Sequence, residues 1–182
     1  MSKSITYALF GGSFDPPHLG HKEIIKKALN YANKVIVMPT YLNPFKNSFN
    51  APPQKRINWV KKSFNFKNVE ICDYEIKQNR AVYTIESFKY LSKTKNIKFI
   101  IIGSDNLKDI TKWKSFDELN NSVTWLVANR DGFTLNTSAL KNFIILNLNI
   151  DVSSTQIREG KKLNFLDEKI RDDVLNFYKI LK

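Results

Sequence analysis

Short apolar runs alternate along this chain with longer stretches whose apolar positions recur every three or four residues. The first run, "ITYALF" at 5–10, is rich in β-branched and aromatic residues and reads as a buried strand. "GGSFDPP" breaks it. Over 19–33 the period changes: Ile24, Ile25, Ala28, Leu29 and Ala32 share one helical face, with lysines on the other. "KVIVMP", 34–39, is a second buried strand, stopped by Pro39. Strand, helix and strand in succession imply parallel pairing through a right-handed crossover.

The alternation continues. "TYLNPFKNSFNAPP", 40–53, is a polar, Pro-punctuated loop, and loops of this length are usually functional or disordered. "QKRINWVKKSF" is a helix with Ile57, Val60 and Phe64 on one face, and "VEIC" at 69–72 a short strand. A helix follows over 83–93 with Thr84 as its expected N-cap and Ser87 three residues on. "IKFIII", 97–102, is the most strand-like run and ends in "GSDN". The pattern then predicts a short helical region around Trp113–Leu119, strands at 123–128 and 143–150, and an amphipathic helix over 167–182.

There is no internal repeat. This order predicts one α/β domain over 1–182, Rossmann-like, with a mainly parallel sheet and helices on both faces. In such sheets ligands sit beyond the carboxyl ends of strands. That rule selects "GGSFDPPHLGH" after the first strand, "NPFK" after the second and "GSDN" after "IKFIII".

Composition changes this picture little. The chain has 182 residues, 42% apolar and 25% charged, as in ordinary globular domains. No apolar run approaches the roughly 20 residues that span a bilayer, and the first residues lack the zones of a signal peptide. Cys72 is the single cysteine, which excludes an intramolecular disulfide. A cytoplasmic protein without a membrane partner is expected. The charge is less ordinary: 29 Lys plus Arg against 17 Asp plus Glu, a net +12. Such an excess attracts polyanions or phosphorylated ligands. The basic residues are scattered rather than massed, which favours solubilisation with a few specific phosphate contacts.

Three segments can carry chemistry. Gly11 and Gly12 let the backbone turn sharply, and the amides there and at the next helix start form an anion site by geometry and dipole. The turn matches neither the dinucleotide fingerprint nor the P-loop. Both histidines, His18 and His21, lie three residues apart on one face of that helix start, with Gly20 between them. Two His without further ligands make a poor zinc set but good donors to phosphate oxygens. In "VSSTQIREG", Ser153, Ser154 or Thr155 can cap a helix, and Arg158 adds a guanidinium to a second phosphate cradle.

Together these segments resemble a known family. "GGSFDPPHLGH" resembles the HxGH-type signature of the nucleotidyltransferase superfamily, and "SSTQIR" its second signature. The nearest resemblance is to the bacterial nicotinate-nucleotide adenylyltransferases. It extends over nearly the whole chain, through "NPFK", "YTIES", "IIGSDNL", "TKWKSFDEL" and "VANRDGF" in order.

The resemblance implies transfer of the adenylyl group of ATP to nicotinic acid mononucleotide, giving deamido-NAD and pyrophosphate in NAD biosynthesis. The attack is direct, with no covalent intermediate. It implies ATP phosphates at His18, His21, Ser154, Thr155 and Arg158, and a dinucleotide site lined by Gly11, Gly12, Ser13 and Phe14. Lys46 would reach a phosphate, Asp105 would contact ribose or order the site, Gly103 would belong to the ATP site, and Arg130 would lie near the adenylate. Tyr83, Thr84 and Trp113 would hold the nicotinate nucleotide, Trp113 by stacking on the pyridine ring, with Ser13, Phe14 and Lys46 also on that side. His18, His21, Lys46 and Arg158 would carry the catalysis. Mg²⁺ would bridge ATP oxygens with few protein ligands. The protein would act as a monomer or weak homo-oligomer, without nucleic acid.

Two departures stand out. The family usually has an imidazole before the lysine, where this chain has Phe45, so phosphate contact there falls to Lys46. The segment after "SSTQIR" is also shorter than usual by about one helical turn. The competing readings are a pantetheine-phosphate adenylyltransferase, whose signature typically has Thr at position 18, an enzyme for the amidated nucleotide, and a nucleic-acid-binding module suggested by the charge.

Overall fold

The computed structural model describes residues 4–130 and 135–180. Within these residues six strands form one parallel sheet: β1 (Thr6–Gly12), β2 (Lys34–Pro39), β3 (Val69–Ile71), β4 (Asn96–Gly103), β5 (Thr124–Arg130) and β6 (Phe143–Leu148). Their spatial order is β3-β2-β1-β4-β5-β6. The chain winds outward from β1 through β2 to β3, then returns to place β4 on the other flank of β1. The topological switch point therefore lies between β1 and β4, where a crevice opens at the carboxyl ends.

Among the described residues seven α-helices accompany the sheet: α1 (Leu19–Ala28), α2 (Pro53–Ser63), α3 (Tyr74–Lys77), α4 (Thr84–Ser92), α5 (Phe116–Ser122), α6 (Ser154–Arg158) and α7 (Glu168–Tyr178). Because strand side chains alternate, neighbouring residues feed opposite cores. Ala8, Phe10, Val35 and Val37 pack with Ile24, Ile25 and Ala28 of α1 and Val60 of α2. Leu9, Ile36, Ile100 and Ile102 pack on the other face with Ile85 and Leu91 of α4 and Leu119 of α5. A third cluster joins Trp59 of α2 to Ile157 of α6 and to Ile170, Val174 and Leu175 of α7.

Some boundaries differ from the sequence expectation. Helix α1 ends at Ala28, short of Asn33, because Leu29 to Ala32 turn into the β2 approach. Helix α4 is capped one residue earlier than expected. Tyr83 is the N-cap, Thr84 is the first helical residue, and Glu86 reaches back to accept the Tyr83 N–H at 3.0 Å. The helical region expected around Trp113–Leu119 is α5, which starts at Phe116 after Ser115 in the left-handed region, and a 3₁₀ stretch, Ser104–Lys112, precedes it unanticipated. Helix α3 was not anticipated, since its four residues are too few to show a period.

Candidate active site

The site is built on the turn between β1 and α1. Phe14 follows the glycine turn with φ +48°, a strained backbone for a residue with a Cβ. That turn sends its ring into the core, where it meets Phe10 and His21 edge-on at 5.3 and 5.0 Å. Phe14 is 2% exposed, and its ring packs against His21.

The two histidines stack, with ring centroids 3.7 Å apart. The His18 backbone N–H donates to His21 Nδ1 at 3.2 Å. An accepting Nδ1 places the proton of a neutral His21 ring on Nε2, making that nitrogen the ring's donor. Gly20 has its reason here. A Cβ would stand 3.0 Å from Val152 and 3.1 Å from the His18 ring, so both pack flat on the helix backbone.

The signature loop is pinned from outside by residues far along the chain. Arg56, fully buried, donates from three nitrogens to the carbonyls of Ser13 (2.6 Å), Thr40 (2.8 Å), Tyr41 (2.8 Å) and Ala51 (2.9 Å). Burial lowers its pKa against the opposing pull of Asp15, and a guanidinium stays charged regardless. The Asp15 carboxylate accepts from the amides of Asn50 and Ala51 and from the Tyr178 hydroxyl. Burial raises the Tyr178 pKa, and that bond raises it further.

The second signature meets the first. Ser153 caps α6 by accepting from the Gln156 amide at 3.2 Å, and Gln156 returns the bond to the Ser153 N–H at 2.9 Å. Ser154 donates to the Pro16 carbonyl at 2.8 Å. Arg158 donates to the Asp15 carbonyl at 2.5 Å and to Thr155 Oγ1 at 3.0 Å.

A cavity of about 300 Å³ opens beside this loop at the β1–β4 switch point. Gly11, Gly12 and Ser13 line it from β1 and the following turn, and Lys46 from the 40–52 loop. Tyr83, Thr84 and Trp113 line it from the α4 start and the end of the 3₁₀ stretch. Gly103 and Asp105 complete the β4 side, the Asp105 carboxylate lying where a Cβ of residue 103 would stand. Trp113 also meets the core Trp125 edge-on at 6.1 Å, so one edge is anchored while the residue borders the cavity. Lys114 lies 4.8 Å over the Tyr83 ring at the rim. Phe45 borders the same cavity and remains 62% exposed.

The cavity lining thus unites nine of the expected site residues. His18, His21, Phe14, Ser154, Thr155 and Arg158 are not in it; they gather around the neighbouring signature loop. Arg130 ends β5, and its side chain lies outside the described residues. Among the described residues no group of three or more His, Cys, Asp or Glu could hold a metal ion. Among them, too, no helix is long and apolar enough to cross a membrane.

Four residues escaped the sequence reading: Asp15, Arg56, Glu75 and Tyr178. One signal was available. Only five of the 29 basic residues are arginine, so a retained Arg marks a place where a planar, multidentate donor is needed. Arg56 and Arg158 are both such places.

A doubly wound parallel sheet, a glycine turn leading into a paired-His helix start, and a crevice at the switch point define a nucleotidyltransferase-like fold. The chain belongs to the cytidylyltransferase-like family, whose model matches residues 9–160. A Sulfurovum protein named "Probable nicotinate-nucleotide adenylyltransferase" is 46% identical over 170 residues, 92% of this chain and 90% of that one. A Campylobacter jejuni protein of the same name is 43% identical over 180 residues, 96% and 97% of the two chains. Among solved structures, Plasmodium falciparum nicotinic acid mononucleotide adenylyltransferase complexed with NaAD shares the fold. Its TM-score is 0.79 at 19% identity, covering 97% of this chain and 98% of that one.

Proposed function

We infer that this protein is a nicotinate-nucleotide adenylyltransferase of NAD biosynthesis. It transfers the adenylyl group of ATP to nicotinic acid mononucleotide and releases pyrophosphate. The observation that carries this reading is the convergence of Gly11–Ser13, Lys46, Thr84, Asp105 and Trp113 on one cavity beside the His18–His21 pair, in a chain 46% identical to a relative of that name.

The reaction in this reading is a direct displacement. A phosphate oxygen of the mononucleotide attacks the α-phosphorus of ATP. The new P–O bond forms as the bond to the β-phosphate oxygen breaks, and the electron pair leaves with pyrophosphate. The protein supplies position and charge rather than a nucleophile. His21 donates from Nε2 to the phosphates, with its ring fixed by the His18 N–H and the Phe14 face. The turn amides of 11–14 and Lys46 add donors. Arg158 keeps unspent N–H groups for the β- and γ-phosphates while its bond to Asp15 holds the two signatures together. Thr84, Tyr83 and Trp113 hold the pyridine nucleotide.

Mg²⁺ would enter with ATP and neutralise phosphate charge; the signature loop's one carboxylate, Asp15, already accepts from two amides and a hydroxyl, so this loop would lend it no side-chain ligand. A cytoplasmic monomer or weak homo-oligomer without a nucleic-acid partner completes the proposal. Supporting this, several basic residues serve ion pairs within the fold: Lys34 and Lys95 share Glu70, and Lys55 meets Asp173. Incubation with ATP, Mg²⁺ and nicotinic acid mononucleotide should yield deamido-NAD and pyrophosphate in equal amounts. Release of ADP or free AMP instead would contradict adenylyl transfer.

A further inference from the structure

Two buried polar atoms among the cavity-lining residues have no hydrogen-bond partner: Glu75 Oε2 and Thr40 Oγ1. Glu75 is the more consequential. It is 4% exposed, at the start of α3, among apolar cavity neighbours that include Leu9, Val82 and Ile102. Its Oε1 accepts from the Ser87 hydroxyl at 2.6 Å. Its Oε2 is therefore a lone buried group on a residue that lines the same cavity as Tyr83, Thr84 and Trp113. A polar atom left so is costly unless a ligand satisfies it.

The protonation state decides what that ligand must offer. Burial above all, opposed by the Ser87 bond and aided by Glu86, pushes the Glu75 carboxyl up to about 7. The groups around it are Ser87 and Glu86 of α4, Cys72 between β3 and α3, and, bordering the same cavity, Lys46, Tyr83, Asp105 and Lys114. Neither lysine forms a hydrogen bond or ion pair with it. A neutral carboxyl donates; an ionised one only accepts, and repels an anion.

We propose that Glu75 is a specificity-determining residue that meets the carboxylate of the acidic pyridine nucleotide as a protonated donor. This rests on the functional reading above. The amide of the nicotinamide nucleotide offers both a carbonyl and an NH₂, so it satisfies Glu75 in either state. A carboxylate satisfies it only when Glu75 is protonated. Preference for the acid over the amide is thus tied to one proton on the protein.

The test compares kcat/KM for the two nucleotides at saturating ATP. In the wild type the acid-to-amide ratio should fall about ten-fold between about pH 6 and about pH 8, following the protonated fraction. In Glu75→Gln, whose amide keeps both the Ser87 acceptor and a donor, the ratio should stay within about two-fold. Ser87→Ala should move the midpoint of the fall to higher pH, since that hydroxyl favours the ionised form. Calorimetry in buffers of different ionisation enthalpy gives a readout independent of turnover. At about pH 8 the wild type should take up close to one proton more on binding the acid than on binding the amide, and Glu75→Gln should take up no more. A wild-type ratio that ignores pH, or an equal fall in Glu75→Gln, would overturn the proposal. If neither nucleotide is adenylylated at any pH, the functional reading fails instead, and the proton count alone decides the role of Glu75.

Discussion

The guanidinium of Arg158 donates to the backbone carbonyl of Asp15 at 2.5 Å, across 143 residues of sequence. One bond thus joins the two signature segments to which the proposed function assigns phosphate binding. Asp15 turns its carboxylate the other way, to the amides of the 50–51 segment and to Tyr178 of α7. The signature loop is held by parts of the fold that form only when the chain is complete around it.

Arg56 is the strongest of these holds. Arg56→Met would leave four carbonyls without their donor and Asp15 without its nearest buried cation. We expect a loss of about 3–5 kcal/mol in urea unfolding. Arg56→Lys should recover only part of it, because an ammonium cannot span the same carbonyls. A loss under about 1 kcal/mol would show that the loop holds without it.

His21 is expected to act on the rate. In His21→Ala, kcat should drop roughly 100-fold or more. The same change removes an acceptor from the start of α1, at about 1 kcal/mol. Thermal unfolding should therefore shift by only a few degrees. Near-normal turnover would remove His21 from the chemistry.

Trp113 is expected to act on binding. Trp113→Ala should raise KM for the pyridine nucleotide by roughly ten-fold and KM for ATP by much less, as loss of a stacking face implies. Trp113→Phe should restore most of it. Equal effects on both KM values would point to collapse against Trp125 rather than to a lost ring contact.

Glu75 also marks stability. Its folded pKa, about 7, lies above the ordinary 4.5, so between these values the folded chain holds a proton that the unfolded chain has released. Stability then falls as pH rises through this window and levels off above it, by roughly 3 kcal/mol in all. Urea midpoints of the wild type should show this slope against Glu75→Gln, which cannot titrate. Parallel profiles would mean that Glu75 titrates normally.

How much of this the sequence disclosed depended on how local the cause was. The β1, β2 and β4 strands and the faces of α1 and α2 were legible because their apolar periods are local. That the paired histidines and the glycine turn meet at one helix start was legible for the same reason. Glu75 and Arg56 were not. In sequence Glu75 is one acid in "DYEIKQ" and Arg56 one cation in "PQKRIN"; both acquire their roles from residues of other elements, Ser87 and the carbonyls of the 13 and 40–51 loops. The cap of α4 slipped by one position because a tyrosine backbone amide, served by Glu86, replaced the hydroxyl cap that Thr84 offered.

The central claim is the substrate, and one comparison tests it most directly. Initial rates of pyrophosphate release should be measured with ATP, Mg²⁺ and, in turn, nicotinic acid mononucleotide, nicotinamide mononucleotide and phosphopantetheine, near pH 7. We predict that the first is fastest, the second slower and the third negligible. Fastest turnover with phosphopantetheine, or none with either pyridine nucleotide, would contradict the assignment.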